Sequence, residues 1–345
     1  MPPSSSRTWP LTLRVILVSA AVSLAGGVLA AALTIGSFSD YATALGELVS
    51  PLRLSSPRSA EETEAPFDRL RDKALSATAL LSFSAPGTDG VDPANADGRG
   101  VVLTSDGWVA TAFVRAPVRS VLIGRRAYAV ERTAADPATG ILFLKTDARN
   151  LPAATFGDPY AARPGQILYV ADGESSMRRT SLVSSRRSAS ATADRFSRRL
   201  SLAGYVGDDG AGVFDGQGNL LALSAADGIV PLDLVLSAFR ALVKEGTVSR
   251  ASFGASFLDL SVASGVPASR TNGRESGVLV TAVGKGFSAD AAGLRVNDII
   301  TSVDGRALDA FYSLDDAVGS AAPGQELALS VDRGGSAVDL RVRLR

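Results

Sequence analysis

The sequence predicts a mainly β protein with a small α+β module at its C-terminal end and a transmembrane helix near its N-terminus. Three observations support this prediction. Residues 15–35 carry no charge, the middle of the chain alternates short apolar runs with Asp-Gly and Asn turns, and the chain from residue 249 onward mixes short helical and strand patterns. The length of 345 residues accommodates two domains of ~100–200 residues each.

The transmembrane helix is predicted over residues 15–35, because these 21 uncharged residues match the ~20 that a helix needs to cross the hydrocarbon core. Arg7 and Arg14 precede the stretch, and Asp40 is the first charge after it. The positive-inside rule therefore places the N-terminus in the cytoplasm and the folded domains on the extracytoplasmic side. The alternative is a signal peptide cleaved near Ala30–Ala32.

The composition excludes several classes of chemistry. The chain has no cysteine and no histidine, which removes disulfides, cysteine nucleophiles and the usual zinc and haem ligands. A carboxylate and carbonyl site for calcium or magnesium remains open, but no loop of the sequence resembles one, so we expect no metal and no cofactor. The 35 basic and 35 acidic residues balance, so the net charge gives no reason to expect nucleic acid as a partner.

Short strands dominate the predicted body of the protein, and a single clear helix over Leu232–Glu245 ends it. Asp233 lies at the start of this helix and Gly246 follows as a stop signal. Many short strands with tight turns are typical of a sandwich or barrel. The strands are predicted over Leu75–Ser84, Gly100–Thr104, Trp108–Ala112, Val118–Ile123, Ala127–Thr133, Gly140–Thr146, Ile167–Ala171, Leu200–Val206 and Asn219–Ser224.

The C-terminal module combines strands and short helices. Helices are predicted over Ala289–Ala292 and Ser313–Ala321. Strands are predicted over Gly277–Thr281, Asp298–Val303, Glu326–Val331 and Val338–Leu344. The predicted boundaries are residues 1–14 for a cytoplasmic tail, 15–35 for the anchor, 36–72 for a linker, 73–248 for the β-rich domain and 249–345 for the module.

Five segments of the body, taken in order, resemble the HtrA (Deg) family of trypsin-fold serine proteases. The resemblance implies a trypsin-like double β-barrel and a C-terminal PDZ domain. The first segment is similar to the strands that lead to the catalytic histidine, the second and third to the aspartate segment and its continuation, the fourth to the serine loop, and the fifth to the entry of the closing helix. These segments are Gly98–Thr111, Ala135–Lys145, Leu151–Asp158, Gly207–Gly216 and Gly228–Asp233.

All three catalytic positions depart from that family. By the resemblance, the histidine position falls on Val114, the aspartate on Gly140 and the serine on Asp209. Serine catalysis needs a base near neutral pKa, an orienting carboxylate and a hydroxyl, and these three residues supply none of them. The Asp208-Asp209 pair either folds into its own oxyanion loop or forms a solvated turn. No lysine lies in a Ser-Lys dyad motif, so we expect no enzymatic activity.

The C-terminal module resembles a PDZ domain through Gly277–Val283 and Ala289–Gly305. By that resemblance, the loop Phe253–Ser256 would bind a peptide C-terminal carboxylate through its N–H groups, and the strand from Phe257 would pair with the peptide. Two apolar residues of the second helix either line the side-chain pocket or fill the core. The candidate peptide-binding residues are Phe253, Gly254, Ala255, Ser256, Phe257, Leu314 and Val318.

An arginine-rich, serine-rich stretch over residues 178–199 has two interpretations. It contains Arg178, Arg179, Arg186, Arg187, Arg195, Arg198 and Arg199. We expect a flexible, solvated loop, and the alternative is a docking surface for anionic lipid or an acidic partner.

The expected function is that of a membrane-anchored pseudoprotease that binds peptide C-termini or unfolded envelope proteins on the periplasmic side. The family implies trimers, so homo- or heterotrimers are expected as assemblies. One alternative is a subunit in a mixed oligomer with active HtrA proteases, and another is a peptidase with an unconventional residual activity.

Overall fold

A computed structural model describes residues 60–345 apart from 87–92, 94–95, 113–116, 174, 197, 205–209 and 226–227. The predicted anchor and the first part of the predicted linker lie outside the described residues. Within the described part of the chain, no helix is long and apolar enough to span a bilayer.

The end of the predicted linker is helical, so the boundary of the linker at residue 72 was wrong. Helix α1 covers Ala60–Ser76. Leu70 and Ala74 lie four residues apart, hence on the same face, and both are buried. The Lys73 ammonium donates to the Asn219 side-chain oxygen at 2.8 Å. This face packs on the body, and burial of its apolar residues stabilises the helix within the stretch that was predicted to be a linker.

The first six strands close into a barrel in the order β1-β2-β3-β6-β5-β4, and every neighbouring pair is antiparallel. Its interior is filled by residues such as Val102, Val109 and Leu144, which are fully buried. The strands are β1 Thr78–Ser82, β2 Gly98–Val102, β3 Trp108–Thr111, β4 Ser120–Ile123, β5 Arg126–Asp136 and β6 Ile141–Thr146.

A second barrel follows, with strand order β10-β13-β12-β11-β7-β8. Its strands are β7 Ile167–Ala171, β8 Met177–Arg186, β10 Arg199–Leu202, β11 Gly212–Phe214, β12 Leu220–Ala225 and β13 Gly228–Pro231. The two barrels confirm the predicted double-barrel class, although β8, β11 and β13 were not among the strands predicted. Helix α2 has the predicted bounds, Leu232–Glu245, and Gly246 ends it with a left-handed φ of 78°.

The C-terminal module is one sheet with three short helices, α3 Ala268–Thr271, α4 Ser288–Ala291 and α5 Leu314–Ser320. The order is β19-β18-β16-β15-β14-β9, and β17 pairs with β16 outside this path. The sixth strand in this order, β9, comes from the barrel part of the chain. The strands are β9 Ser190–Thr192, β14 Ala255–Asp259, β15 Val278–Val283, β16 Ile299–Val303, β17 Arg306–Ala307, β18 Glu326–Arg333 and β19 Ser336–Arg343.

Arg250 connects the C-terminal module to the first barrel and to helix α2. Its guanidinium forms an ion pair with Asp136 at the end of β5, and that carboxylate is almost fully buried. It also donates to the Ser237 hydroxyl on α2 at 2.7 Å, and this hydroxyl donates to the carbonyl oxygen of Gly319 on α5 at 2.5 Å. A Cβ atom at Gly319 would lie 2.5 Å from the Leu234 side chain, so α2 and α5 touch closely.

Candidate peptide-binding groove

By the resemblance to a PDZ domain, the peptide groove of the C-terminal module would lie between the edge of β14 and helix α5. The loop Phe253–Ser256 leads into β14, as the resemblance to a PDZ domain implied. Leu314 and Val318 lie on α5 and are completely buried. The structure therefore brings the predicted loop, strand and helix residues into one region of the molecule.

The edge of β14 is already paired, because β9 of the same chain lies against it. The two strands are antiparallel, and Thr192 is opposite Ser256. The ladder continues beyond both ends of β9: Ala193 N–H donates to the carbonyl of Ala255 at 2.9 Å, and Asp259 N–H donates to the carbonyl of Ala189 at 2.7 Å. An internal segment therefore occupies the edge at which a PDZ peptide would add a strand.

The carboxylate-binding loop is also occupied. The backbone N–H groups of Phe253 and Gly254 donate to the two carboxylate oxygens of Asp194, at 2.6 Å and 2.9 Å. Gly254 has a left-handed φ of 80°, which favours glycine at this turn of the loop. The loop thus binds a carboxylate in this structure, and the carboxylate belongs to an aspartate side chain.

Buried charges hold the same segment against the module. The Arg187 guanidinium lies 3.2 Å from the carboxylates of both Asp259 on β14 and Asp316 on α5. The Arg198 guanidinium lies 3.8 Å from Asp316. These side chains are at most 3% exposed, so the charges compensate one another away from water. Burial raises the pKa of Asp316, and the charges of Arg198 and Arg187 oppose that rise.

The expectation of a flexible, solvated loop over residues 178–199 is wrong. The stretch contains β8 and β9 and leads into β10, and Arg187 and Arg198 are buried in ion pairs. Serine and arginine hide the strand signal, because the alternation in β8 involves few apolar residues. Leu182 and Thr180 are buried inside the barrel, whereas Arg179 and Val183 are exposed.

The two interpretations of Leu314 and Val318, as residues that line the pocket or fill the core, are compatible in this structure. Both belong to the large buried cluster that also contains Ala193 and Phe196, the two apolar residues on either side of Asp194 and Arg195. The Phe196 ring lies 2.7 Å from an ideal Cβ position at Gly319 on α5. The pocket wall is thus core in this structure, and the occupying segment supplies the residues that bury it.

The three positions that the resemblance assigns to the catalytic triad are only partly described. Val114 and Asp209 lie outside the described residues. Gly140 is exposed in the turn before β6, with a φ of 74° and open space where a Cβ would project. Four residues earlier, Asp136 accepts from the Thr139 hydroxyl and from Arg250. The segment that resembles the catalytic-aspartate segment therefore carries an interdomain ion pair.

Sequence reasoning missed Arg187, Ala193, Asp194 and Asp316 as members of the site. No local pattern marks them, because Asp194 lies in a serine- and alanine-rich run and Asp316 reads as an ordinary helix N-terminal acid. The capping hydrogen bond from Ser313 N–H to the Asp316 carboxylate, at 3.0 Å, fits that local interpretation. Only the packing of α5 against the barrel reveals the second role of Asp316.

An acid in the first turn of α2, Asp233, gives a pH prediction. Burial and the nearby charge of Asp316 raise the pKa of Asp233 to about 6, and the Tyr160 hydroxyl donates to its carboxylate. The ordinary value of 3.8 applies to the unfolded chain, so the folded state binds the proton more tightly. The contribution of Asp233 is therefore favourable below pH ~4, and it is lost as the pH rises to ~6, by up to about 3 kcal/mol.

Chemical unfolding between pH 4 and pH 7 measures this contribution. Asp233→Asn keeps an acceptor for Tyr160 without a titrating group, so the variant is expected to lose less stability than the native chain across this range. Asp339→Asn removes a charge at an exposed position of β19 and serves as the control. Equal pH dependence in the native chain and Asp233→Asn would contradict the prediction.

Comparison with known proteins identifies both folded parts. A trypsin-like peptidase domain matches residues 96–223, and a PDZ domain matches residues 260–344. Two relatives are probable periplasmic serine endoproteases described as DegP-like. The one from Hahella chejuensis is 24% identical over 290 residues, which cover 74% of this chain. The one from Halomonas elongata is 25% identical over 260 residues, which cover 69% of this chain. The chain covers only 58% and 54% of the lengths of these two relatives.

A solved structure shows the same fold. The HtrA-type protease AlgW with tripeptide superposes with a TM-score of 0.52 at 21% identity, covering 81% of this chain and 97% of that one. The fold and the domain matches define the class as a trypsin-like peptidase fold followed by a C-terminal PDZ domain. Within that class the chain is similar to the probable periplasmic serine endoproteases described as DegP-like.

Proposed function

We propose that this chain is a membrane-anchored HtrA-type pseudoprotease whose PDZ groove binds extended peptides that end in a carboxylate. The observation that carries the proposal is the engagement of a carboxylate by the loop N–H groups of Phe253 and Gly254, in a chain that has no histidine. Binding, rather than hydrolysis, is then the surviving chemistry. The periplasmic names of the relatives support an extracytoplasmic location for the folded domains.

We infer the absence of catalysis from the need for proton transfer in the serine mechanism. A serine hydroxyl becomes a nucleophile only when a nearby base takes its proton, and a chain with no histidine has no imidazole for that step. The residues at the three positions, Val114, Gly140 and Asp209, include neither a base of suitable pKa nor a hydroxyl. A carboxylate at position 209 would also repel a developing oxyanion.

The peptide-binding role follows from backbone geometry. Two N–H groups converge on one carboxylate group, and the adjacent strand β14 presents its edge to an antiparallel partner. Main-chain hydrogen bonds of this kind give affinity, while the buried wall formed by Leu314 and Val318 selects side chains by size. We propose cellular proteins with accessible C-termini as the partners.

A peptide array tests this role. Because Asp194 fills the loop, the array is probed both with the native chain and with Asp194→Ala. We expect the variant to bind a subset of peptides with free C-termini and to lose them when the C-terminus is amidated, since an amide cannot supply two anionic oxygens. The control variant is Gly254→Ala in the Asp194→Ala background. Its added Cβ would lie 2.1 Å from the Cβ of Phe287 and would distort the loop. The role would be contradicted if Asp194→Ala still bound the peptides after amidation, or if it bound no peptide at all.

A further inference from the structure

We propose that residues 188–196 are a built-in ligand of the PDZ groove, and that an external peptide binds by displacing them. The inference rests on the proposed function in one respect, namely that the groove accepts external peptides. The occupancy of the groove by the chain itself rests on the geometry alone, and the two can be tested separately.

The segment reproduces the features of a bound C-terminal peptide. It runs antiparallel to β14 and reaches the carboxylate loop at its C-terminal end. Ala193 is buried where the last side chain of a ligand would lie, and its N–H donates to Ala255. One residue further on, the side chain of Asp194 supplies the carboxylate that a chain terminus would otherwise supply.

Covalent connection makes this ligand a strong competitor. Arg187 and Arg198 flank the segment, and both pair with Asp316 on the helix that forms the opposite wall. The segment is therefore held at both of its ends, and its effective concentration at the groove is that of a short tether, on the order of millimolar. The apparent affinity for an external peptide is the intrinsic affinity multiplied by the fraction of molecules whose groove is open.

The carboxylate end is the part from which displacement can begin. Asp194 is exposed to solvent, whereas Ala193 and the guanidinium of Arg187 are buried. An incoming terminal carboxylate can therefore replace Asp194 at the Phe253–Gly254 N–H groups before the ladder and the ion pairs open. Arg187 and Arg198 lie just beyond the two ends of the segment, so its complete displacement would disturb their ion pairs with Asp316. Ligand binding is thereby coupled to β8 and β10, the strands on either side of the segment.

The experiment compares the native full chain with Asp194→Ala. The probe is a fluorescein-labelled peptide of residues 186–193 that ends in a free carboxylate, and fluorescence anisotropy measures its affinity. We expect Asp194→Ala to bind it about tenfold more tightly than the native chain, because two hydrogen bonds to a charged group no longer hold the internal ligand. Hydrogen exchange at the amides of Phe253 and Gly254 is measured in parallel and is expected to be faster in the variant without probe.

The matched control is Asp172→Ala, which removes a carboxylate that pairs with Arg178 at 2.5 Å beside the β7–β8 turn. It is expected to match the native chain in both measurements. Equal probe affinity in the native chain and Asp194→Ala overturns the competition, and unchanged exchange at Phe253 and Gly254 overturns the internal ligand. Faster exchange without probe binding in any variant supports the internal ligand and refutes the proposed peptide-binding function.

Discussion

The purified chain is expected to hydrolyse casein about a million-fold more slowly than a chain with an intact catalytic triad. The reason is that base, orienting carboxylate and nucleophile act as a unit, so that loss of one already removes most of the rate enhancement. Single substitutions, Val114→His, Gly140→Asp or Asp209→Ser, are therefore expected to leave the chain inactive. Release of fluorescein from labelled casein measures the rate.

The triple variant Val114→His, Gly140→Asp, Asp209→Ser is the informative comparison. It is the one member of this series that carries all three groups, so any gain of activity is expected there and in none of the single variants. Asp209→Ala controls for loss of the carboxylate alone and is expected to behave as the native chain. Cleavage that co-purifies with the native chain through repeated chromatography, and persists in Asp209→Ala, would show an unconventional peptidase.

Replacing Asp316 with alanine is expected to lower the free energy of unfolding by about 3–5 kcal/mol. The carboxylate pairs with Arg187 and Arg198, whose side chains are only 3% and 2% exposed. Its removal leaves Arg198 buried without that charge partner and leaves Arg187 with Asp259 alone. Guanidinium unfolding, followed by fluorescence, measures the loss.

Glu326→Ala provides the control for that experiment. It breaks the Arg341–Glu326 pair at 3.0 Å, whose side chains are 80% and 51% exposed, so a loss below about 1 kcal/mol is expected. Asp316→Asn keeps the shape and two polar atoms without the charge, and should fall between the two. A loss in Asp316→Ala no larger than that in Glu326→Ala would show that the buried pairs contribute little net stability.

Local signals in the sequence are sufficient for many elements. The helix over Leu232–Glu245 was predicted with its observed bounds, because apolar residues recur at helical spacing and Gly246 can adopt the left-handed conformation that ends it. Strand β7 was also predicted with its observed bounds, Ile167–Ala171. Elsewhere the strand ends moved by a few residues, since a strand ends where its ladder partners end.

The arginine-rich stretch shows where local signals fail. Its residue types favour solvent when taken one at a time, and on that basis it was predicted to be a loop. Arg187 and Asp316 are 129 residues apart in sequence. Each charge compensates the other for the loss of water only when α5 and the arginine-rich stretch are packed together. A pattern within a short window of sequence cannot contain that information.

The sequence by itself determined the absence of histidine and cysteine, hence the loss of imidazole and thiol chemistry, because composition does not depend on how the chain folds. Turn residues and apolar periodicity, which act locally, also indicated a β-rich body and a small α+β module, and the resemblance of several segments implied the double barrel and the PDZ domain. Only the tertiary structure decided that β9 pairs with β14 and that Asp194 fills the carboxylate loop. Strand register and charge burial arise from contacts between distant segments, and these contacts form only when the barrel and the PDZ domain pack together.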